Sequence, residues 1–119
     1  MTTATRATHV PEASDDQPLR VAHVEIRPRE GMAIVGDRAV ALSVREFSLL
    51  TALARRAGHV IAREELFSTV WGGALRRGDR SIDVYVHKLR QKLEAASPGW
   101  TFIHTHVGFG YRFAPEPAV

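Results

Sequence analysis

The chain has 119 residues, 45% of them hydrophobic and 24% charged, with a formal net charge of +3 at pH 7, the make-up of one soluble globular domain and not of a disordered or fibrous chain. It has no cysteine, which excludes disulfides, thiolate zinc sites and thiol catalysis. No apolar run reaches the length of a membrane span, and the start lacks the basic-then-apolar order of a signal peptide, so a cytoplasmic protein is the default expectation.

Residues 1–18, MTTATRATHVPEASDDQP, offer no apolar period to a helix or a strand and read as a flexible arm or linker. A domain is expected over residues 19–115, with 116–119 as a tail. In LRVAHVEI, Leu19 and Val21 and then Val24 and Ile26 sit two apart, with one slip of phase at Ala22 and His23. MAIVGD ends on a Gly-Asp turn signal and RAVAL follows, so three short antiparallel strands are expected. SVREFSLLTALARRAG then carries Ser43 as an N-cap with Glu46 three residues on, a capping box, and Gly58 as its stop. Phe47, Leu50, Leu53, Ala54 and Ala57 give that helix a broad apolar face. A shorter helix is expected over about Arg63 to Trp71, ended by Gly72-Gly73, with Ala62 standing where a capping Ser, Thr or Asn is common.

The third helix is RSIDVYVHKLRQKL, residues 80–93. Ile82, Val86, Leu89 and Leu93 form one apolar stripe, and Arg80, Val84, His87, Lys88 and Gln91 lie opposite. Burial of the stripe is worth about 1.5–3 kcal/mol per side chain and fastens the helix, but it does not account for the cations. Residues 76–92 alone carry +4, so one segment holds the whole basic excess. Lys92 flanks the stripe and is read as solvent-facing. After Pro98-Gly99, WTFIHTHVGFGYRF reads as two strands, Trp100 to His106 and Tyr111 to Phe113, around a turn with Gly108 and Gly110. The expected class is α+β. A short helix, a connection, a second helix with a polar outer face and a Gly-containing hairpin make the winged helix-turn-helix order, whose second helix fits the major groove of DNA.

The residues also resemble a family, the winged-helix effector domain of OmpR/PhoB-type response regulators. The resemblance runs through LSVREFSLL (42–50), GHVIAREEL (58–66), Trp71, RSIDVYVHKLRQKL (80–93) and THVGFGYRF (105–113), in order and at suitable spacing over about residues 19–114. It implies a small N-terminal antiparallel sheet, three helices and a hairpin wing, with a recognition helix from about Arg80 to Ala95 in the major groove and the wing at the neighbouring minor groove. It implies double-stranded DNA as the partner, direct-repeat half-sites and a head-to-tail dimer. The connection GGALRRGD, 72–79, corresponds to a segment that often touches RNA polymerase, and Arg76 and Arg77 serve there or at phosphate, unless the segment is a plain connection.

In that frame Lys88 donates to guanine O6 or N7, His87 donates or accepts according to its tautomer, and Val84 meets a thymine methyl or is a plain surface valine. Asp83 either accepts from a cytosine N4 amine or holds His87 or Arg90 in place. Arg80, Ser81, Tyr85, Arg90 and Thr105 are placed at phosphates. Arg63 and Trp71 match positions near the DNA backbone, with Trp71 equally readable as core.

The sequence departs from the family pattern in its wing, where Thr105-His106-Val107-Gly108-Phe109-Gly110-Tyr111 has Val107 in place of the usual basic residue. His106 or Arg112 are the candidates to replace it, and a shallower salt dependence is expected. Nothing in the sequence supplies the acidic pocket of a receiver domain, so it reads either as a fragment with 1–18 as linker or as a regulator controlled in another way.

Two rival classes stand beside this. His104 and His106 share one strand face as a metal pair would, but no third ligand is evident, so neither metal, cofactor nor catalysis is expected. A protein-interaction module is the stronger rival, since the same basic face suits an acidic protein.

Overall fold

A computed structural model describes residues 17–118; all but Gln17 and Pro18 of the expected arm, and Val119 of the expected tail, lie outside them. The order is β1 (Leu19–Val21), β2 (Val24–Arg27), β3 (Met32–Val35), β4 (Arg38–Val40), α1 (Val44–Arg55), β5 (Val60–Ile61), α2 (Arg63–Val70), α3 (Ser81–Ala96), β6 (Trp100–His106) and β7 (Gly110–Pro117).

The N-terminal sheet has four antiparallel strands in sequence order, not three. The phase slip at Ala22 and His23 is the reason: Val21 pairs with Val24, and the two residues between them form the turn. Ala22 adopts φ +54°, the one non-glycine residue with positive φ among the described residues. His23 holds the corner, its carbonyl accepting from Gly36 N–H at 2.8 Å and its ring lying edge-on to Trp100 at 4.5 Å.

α1 begins as its ends require. Glu46 N–H donates to Ser43 Oγ at 3.1 Å and Ser43 N–H donates to Glu46 Oε1 at 2.8 Å, so both arms of the capping box form. Its apolar face also includes Leu49, and the helix lies against α2, α3, β1 and β7 as the centre of the core. α2 starts at Ala62 without a side-chain cap.

The stripe on α3 is fully buried at Ile82, Val86, Leu89 and Leu93, packed with Phe102 of β6 and Phe113 of β7. The C-terminal hairpin belongs to a three-stranded sheet ordered β5-β7-β6. β5 was not expected, since two residues carry no periodicity, and β7 runs on to Pro117, past the expected strand end at Phe113 and two residues into the expected tail.

Candidate nucleic-acid interface

α3 is held from both sides, which fixes what its outer face can present. On the α1 side, Lys92 Nζ donates to Glu46 Oε1 at 2.7 Å, and Glu46 is only 3% exposed. Burial pushes that carboxyl up, but hydrogen bonds from Lys92 and Ser43 and the ammonium charge outweigh it and hold the group below its ordinary value. Lys92 is solvent-facing, as its position beside the stripe suggests, and is at the same time the partner of a buried carboxylate. On the β6 side, Arg90 donates through Nε and Nη2 to the Ile103 carbonyl at 3.0 and 2.8 Å, and through Nη2 to Thr105 Oγ1 at 2.8 Å. Arg90 and Thr105, expected at phosphates, spend those groups tying helix to wing.

A second knot joins α2, α3 and β7. The Asp83 carboxylate accepts from Arg63 Nε at 3.2 Å and Nη2 at 2.9 Å, and from the Tyr111 hydroxyl, with Arg80 Nε 3.2 Å away. Burial raises Asp83, yet the hydrogen bonds from Arg63 and Tyr111 and the charges of Arg63 and Arg80 hold it below the usual carboxylate range. Burial, followed by the bond to Asp83, pushes the Tyr111 phenol up to about 12. Of the two roles open to Asp83, the geometry favours holding, but the groups held are Arg63, Tyr111 and Arg80, not His87 or Arg90. Three hydrogen bonds take up both acceptor positions of Oδ1 and one of Oδ2, with Arg80 against Oδ2, so little of the carboxylate is left to a cytosine amine. Arg63, expected near phosphate, is drawn into the same knot and also donates to the Asp79 carbonyl at 3.1 Å.

Asp79 is a residue that sequence reasoning passed over. Its Oδ1 accepts from Ser81 Oγ at 2.6 Å and from Ser81 N–H at 2.8 Å, so it caps the start of α3 although Arg80 holds the formal cap position. Those bonds, the hydroxyl's first, lower the Asp79 carboxyl. Asp-x-Ser before an apolar period is the signal that could have found it. Ser81, expected at phosphate, has its hydroxyl proton committed to Asp79.

Opposite the buried stripe, Arg80 at the cap of α3 and Val84, His87, Lys88 and Gln91 on it are all exposed, with Val84 48% exposed. Lys88 Nζ rests 5.1 Å from the Tyr85 ring centre, and Tyr85 is half-buried against Trp71, their rings 5.4 Å apart. Trp71 in turn stacks on Phe67 at 5.2 Å and lies under the Arg45 guanidinium at 4.9 Å. It is half-buried, between the two readings given for it. Arg76 and Arg77 are exposed on the connection between α2 and α3.

The wing turns at Val107-Gly108-Phe109, where Phe109 N–H donates to the His106 carbonyl at 2.8 Å. Gly110 is required by close approach: a Cβ there would lie 2.0 Å from the Ile61 carbonyl oxygen of β5. Arg112 Nε donates to His106 Nε2 at 3.0 Å, so the two candidates for the missing wing cation engage each other, half-buried, behind the tip. His104 Nε2 pairs with the Ala114 carbonyl at 2.7 Å, and no cluster of three metal-ligating side chains occurs among the described residues. Among them too, no helix is long and apolar enough to cross a membrane.

Wing and helices together enclose a cleft of about 420 Å³, with Arg63, Arg80 and Asp83 on one lip and Val107 and Phe109 on the other.

Comparison with known proteins places this geometry. Residues 37–113 match the family described as transcriptional regulatory protein, C terminal. The chain is 36% identical over 93 residues to the transcriptional regulatory protein CreB of Escherichia coli K12, covering 78% of this chain and 41% of that protein. It is 34% identical over 105 residues to the DNA-binding response regulator MtrA of Mycobacterium tuberculosis, covering 86% of this chain and 46% of that protein. The chain thus spans less than half the length of these relatives. Among solved structures, the Klebsiella pneumoniae RstA DNA-binding domain in complex with the RstA box superposes with a TM-score of 0.74 at 33% identity, over 82% of this chain and 97% of that one. The DNA-binding domain of CpxR from E. coli gives 0.75 at 32%, over 82% and 96%.

Proposed function

Because the chain belongs to the OmpR/PhoB-type family of C-terminal domains of transcriptional regulators, we propose that it binds double-stranded DNA by sequence, with α3 in the major groove and the β6–β7 wing at the adjacent minor groove. The observation that carries this reading is the division of α3 into a stripe buried at Ile82, Val86, Leu89 and Leu93 and an opposite face, Val84, His87, Lys88 and Gln91, that the described chain leaves uncovered. A helix so anchored presents side chains to a groove about 12 Å wide without unfolding anything.

Lys88 serves as donor to guanine O6 or N7, His87 as a second polar reader, and Val84 as apolar contact to a thymine methyl. Arg80 and Tyr85 at the edge of α3, with Trp71 behind them, meet phosphates, and the backbone around Ser81 and Thr105 fixes register. Arg63, Asp83 and Arg90 hold the reading head in shape. In line with the family resemblance, the protein acts in the cytoplasm on direct-repeat half-sites as a head-to-tail dimer, with Arg76 and Arg77, exposed on the connection, offered to RNA polymerase.

The test is titration of duplexes selected from random DNA at several salt concentrations. About six phosphate contacts give a slope of log K against log salt near −5. Lys88→Ala relaxes preference at one guanine, whereas Arg80→Ala weakens all duplexes alike. Absence of duplex binding even at low ionic strength overturns the reading in favour of a protein-interaction module.

A further inference from the structure

A lysine is a poorly aimed reader of a single base. Its ammonium is a compact charge on a flexible four-carbon stem, with less pre-organisation than arginine's planar fork, and an unsupported exposed stem samples many rotamers. Lys88 has support. Its Nζ lies over the Tyr85 ring, 5.1 Å from the centre, three residues back on the same helix, where side chains at that spacing are neighbours. Tyr85 is itself held. Its ring meets Trp71 edge-on at 5.4 Å, and Trp71 stacks on Phe67 at 5.2 Å with the two planes 3° apart. The Arg45 guanidinium lies 4.9 Å over Trp71, while its Nη1 donates to the Val70 carbonyl at 3.0 Å. One chain of contacts thus runs from α1, through the end of α2, to the exposed ammonium on α3, and half-buried Tyr85 is its last fixed member.

A cation over an aromatic face is attracted by the ring quadrupole, and at an exposed site this favours the contacting rotamer by about two- to fivefold. We infer that Tyr85 is a positioning residue for base reading: its ring holds the Lys88 ammonium in place on the outward face of α3 before DNA arrives. The order that a lysine otherwise acquires on binding is then already present, and less is lost when it meets a guanine. Because the ring attracts the charge, the ammonium keeps N–H donors for guanine O6 or N7. This rests on the DNA-binding reading above and separates two parts of Tyr85. The hydroxyl meets phosphate, whereas the ring acts through Lys88 and sets preference at one base pair.

The experiment titrates Tyr85→Leu and Tyr85→Phe, each with and without Lys88→Ala, on a selected duplex. The same titrations use the three duplexes that replace the guanine whose preference Lys88→Ala relaxes. Tyr85→Leu is expected to lose about threefold in preference for guanine with the parent's salt slope, and to add no further loss to Lys88→Ala. Tyr85→Phe, which keeps the ring, binds every duplex more weakly through the lost hydroxyl but retains the preference. In the free protein, nuclear magnetic resonance is expected to find the Lys88 ε-methylene protons shifted upfield by the ring, in the parent and in Tyr85→Phe alike. That readout needs neither DNA nor a folded leucine variant. Parent-like preference in Tyr85→Leu, equal losses in the leucine and phenylalanine variants, or a loss that persists without Lys88 overturns the inference and leaves the DNA-binding reading intact. Lys88 ε-protons at random-coil positions do the same. A lower salt slope with unchanged preference in Tyr85→Leu also overturns it, placing Lys88 at phosphate. A parent that binds no duplex overturns the DNA-binding reading, and the inference with it.

Discussion

Asp83→Ala removes the acceptor at the centre of the knot that joins α2, α3 and β7. Tyr111, 7% exposed, is left with a hydroxyl that has lost its carboxylate, which costs about 1–3 kcal/mol. The Arg63 pair is partly exposed, and after solvent screening its loss adds about 1 kcal/mol or less. Arg80 is more exposed still and contributes little. The sum is about 2–3 kcal/mol, and at roughly 4–8 °C per kcal/mol for a domain of this size the melting temperature falls by roughly 10–20 °C. Thermal unfolding followed by circular dichroism measures it. A double-mutant cycle with Tyr111→Phe isolates the shared bond: the two changes together cost less than their sum by about 1–2 kcal/mol. If Asp83→Ala melts within about 3 °C of the parent and instead alters base preference at one position, Asp83 reads cytosine and the argument from the knot is wrong.

The same knot gives an alkaline signature. Tyr111 is held neutral up to about 12, so the stability it adds over Tyr111→Phe is complete below the unfolded phenol's value of about 10 and fades as pH rises through the folded value; urea melts of both proteins between neutral and strongly alkaline pH measure the difference. Lys92→Met strands the buried Glu46 carboxylate and costs about 2 kcal/mol at neutral pH, discounted because Lys92 itself is partly exposed. Glu46 is lowered in the fold, so its stabilising share is present above about pH 4.3 and disappears as pH falls through the folded value; the Lys92→Met deficit in urea melts should narrow in acid. Ala22→Gly relieves a left-handed alanine and should raise stability by about 1 kcal/mol in the same assay.

The parts of this fold that were legible in sequence are those set by local rules. The capping box at Ser43 and Glu46 and the stripe through Ile82 and Leu93 depend on residues a few positions apart, and both appear as the spacing demands. The slip at Ala22-His23 is visible in the sequence as a fault of phase, but it does not announce a turn, because alanine at positive φ runs against residue preference. β5 went unseen because Val60-Ile61 becomes a strand only by pairing with β7. Within the candidate interface, the outward set on α3 was readable from helical period. The jobs of Asp83, Arg63 and Arg90 were not, because their partners lie 13 to 28 residues away in sequence and meet only when the sheet closes on the helices. The solvent-facing position of Lys92 is legible in the helical period, but its pairing with Glu46 is not, the two being 46 residues apart.

The placement of α3 in the major groove is tested most directly by dimethyl sulfate protection, which reports guanine N7 in the major groove and adenine N3 in the minor groove of one bound duplex. The expected pattern is protected guanine N7 within each half-site, lost at one guanine in Lys88→Ala, with protected adenine N3 only on the flank reached by the wing. A tight complex in which every guanine N7 stays reactive contradicts it.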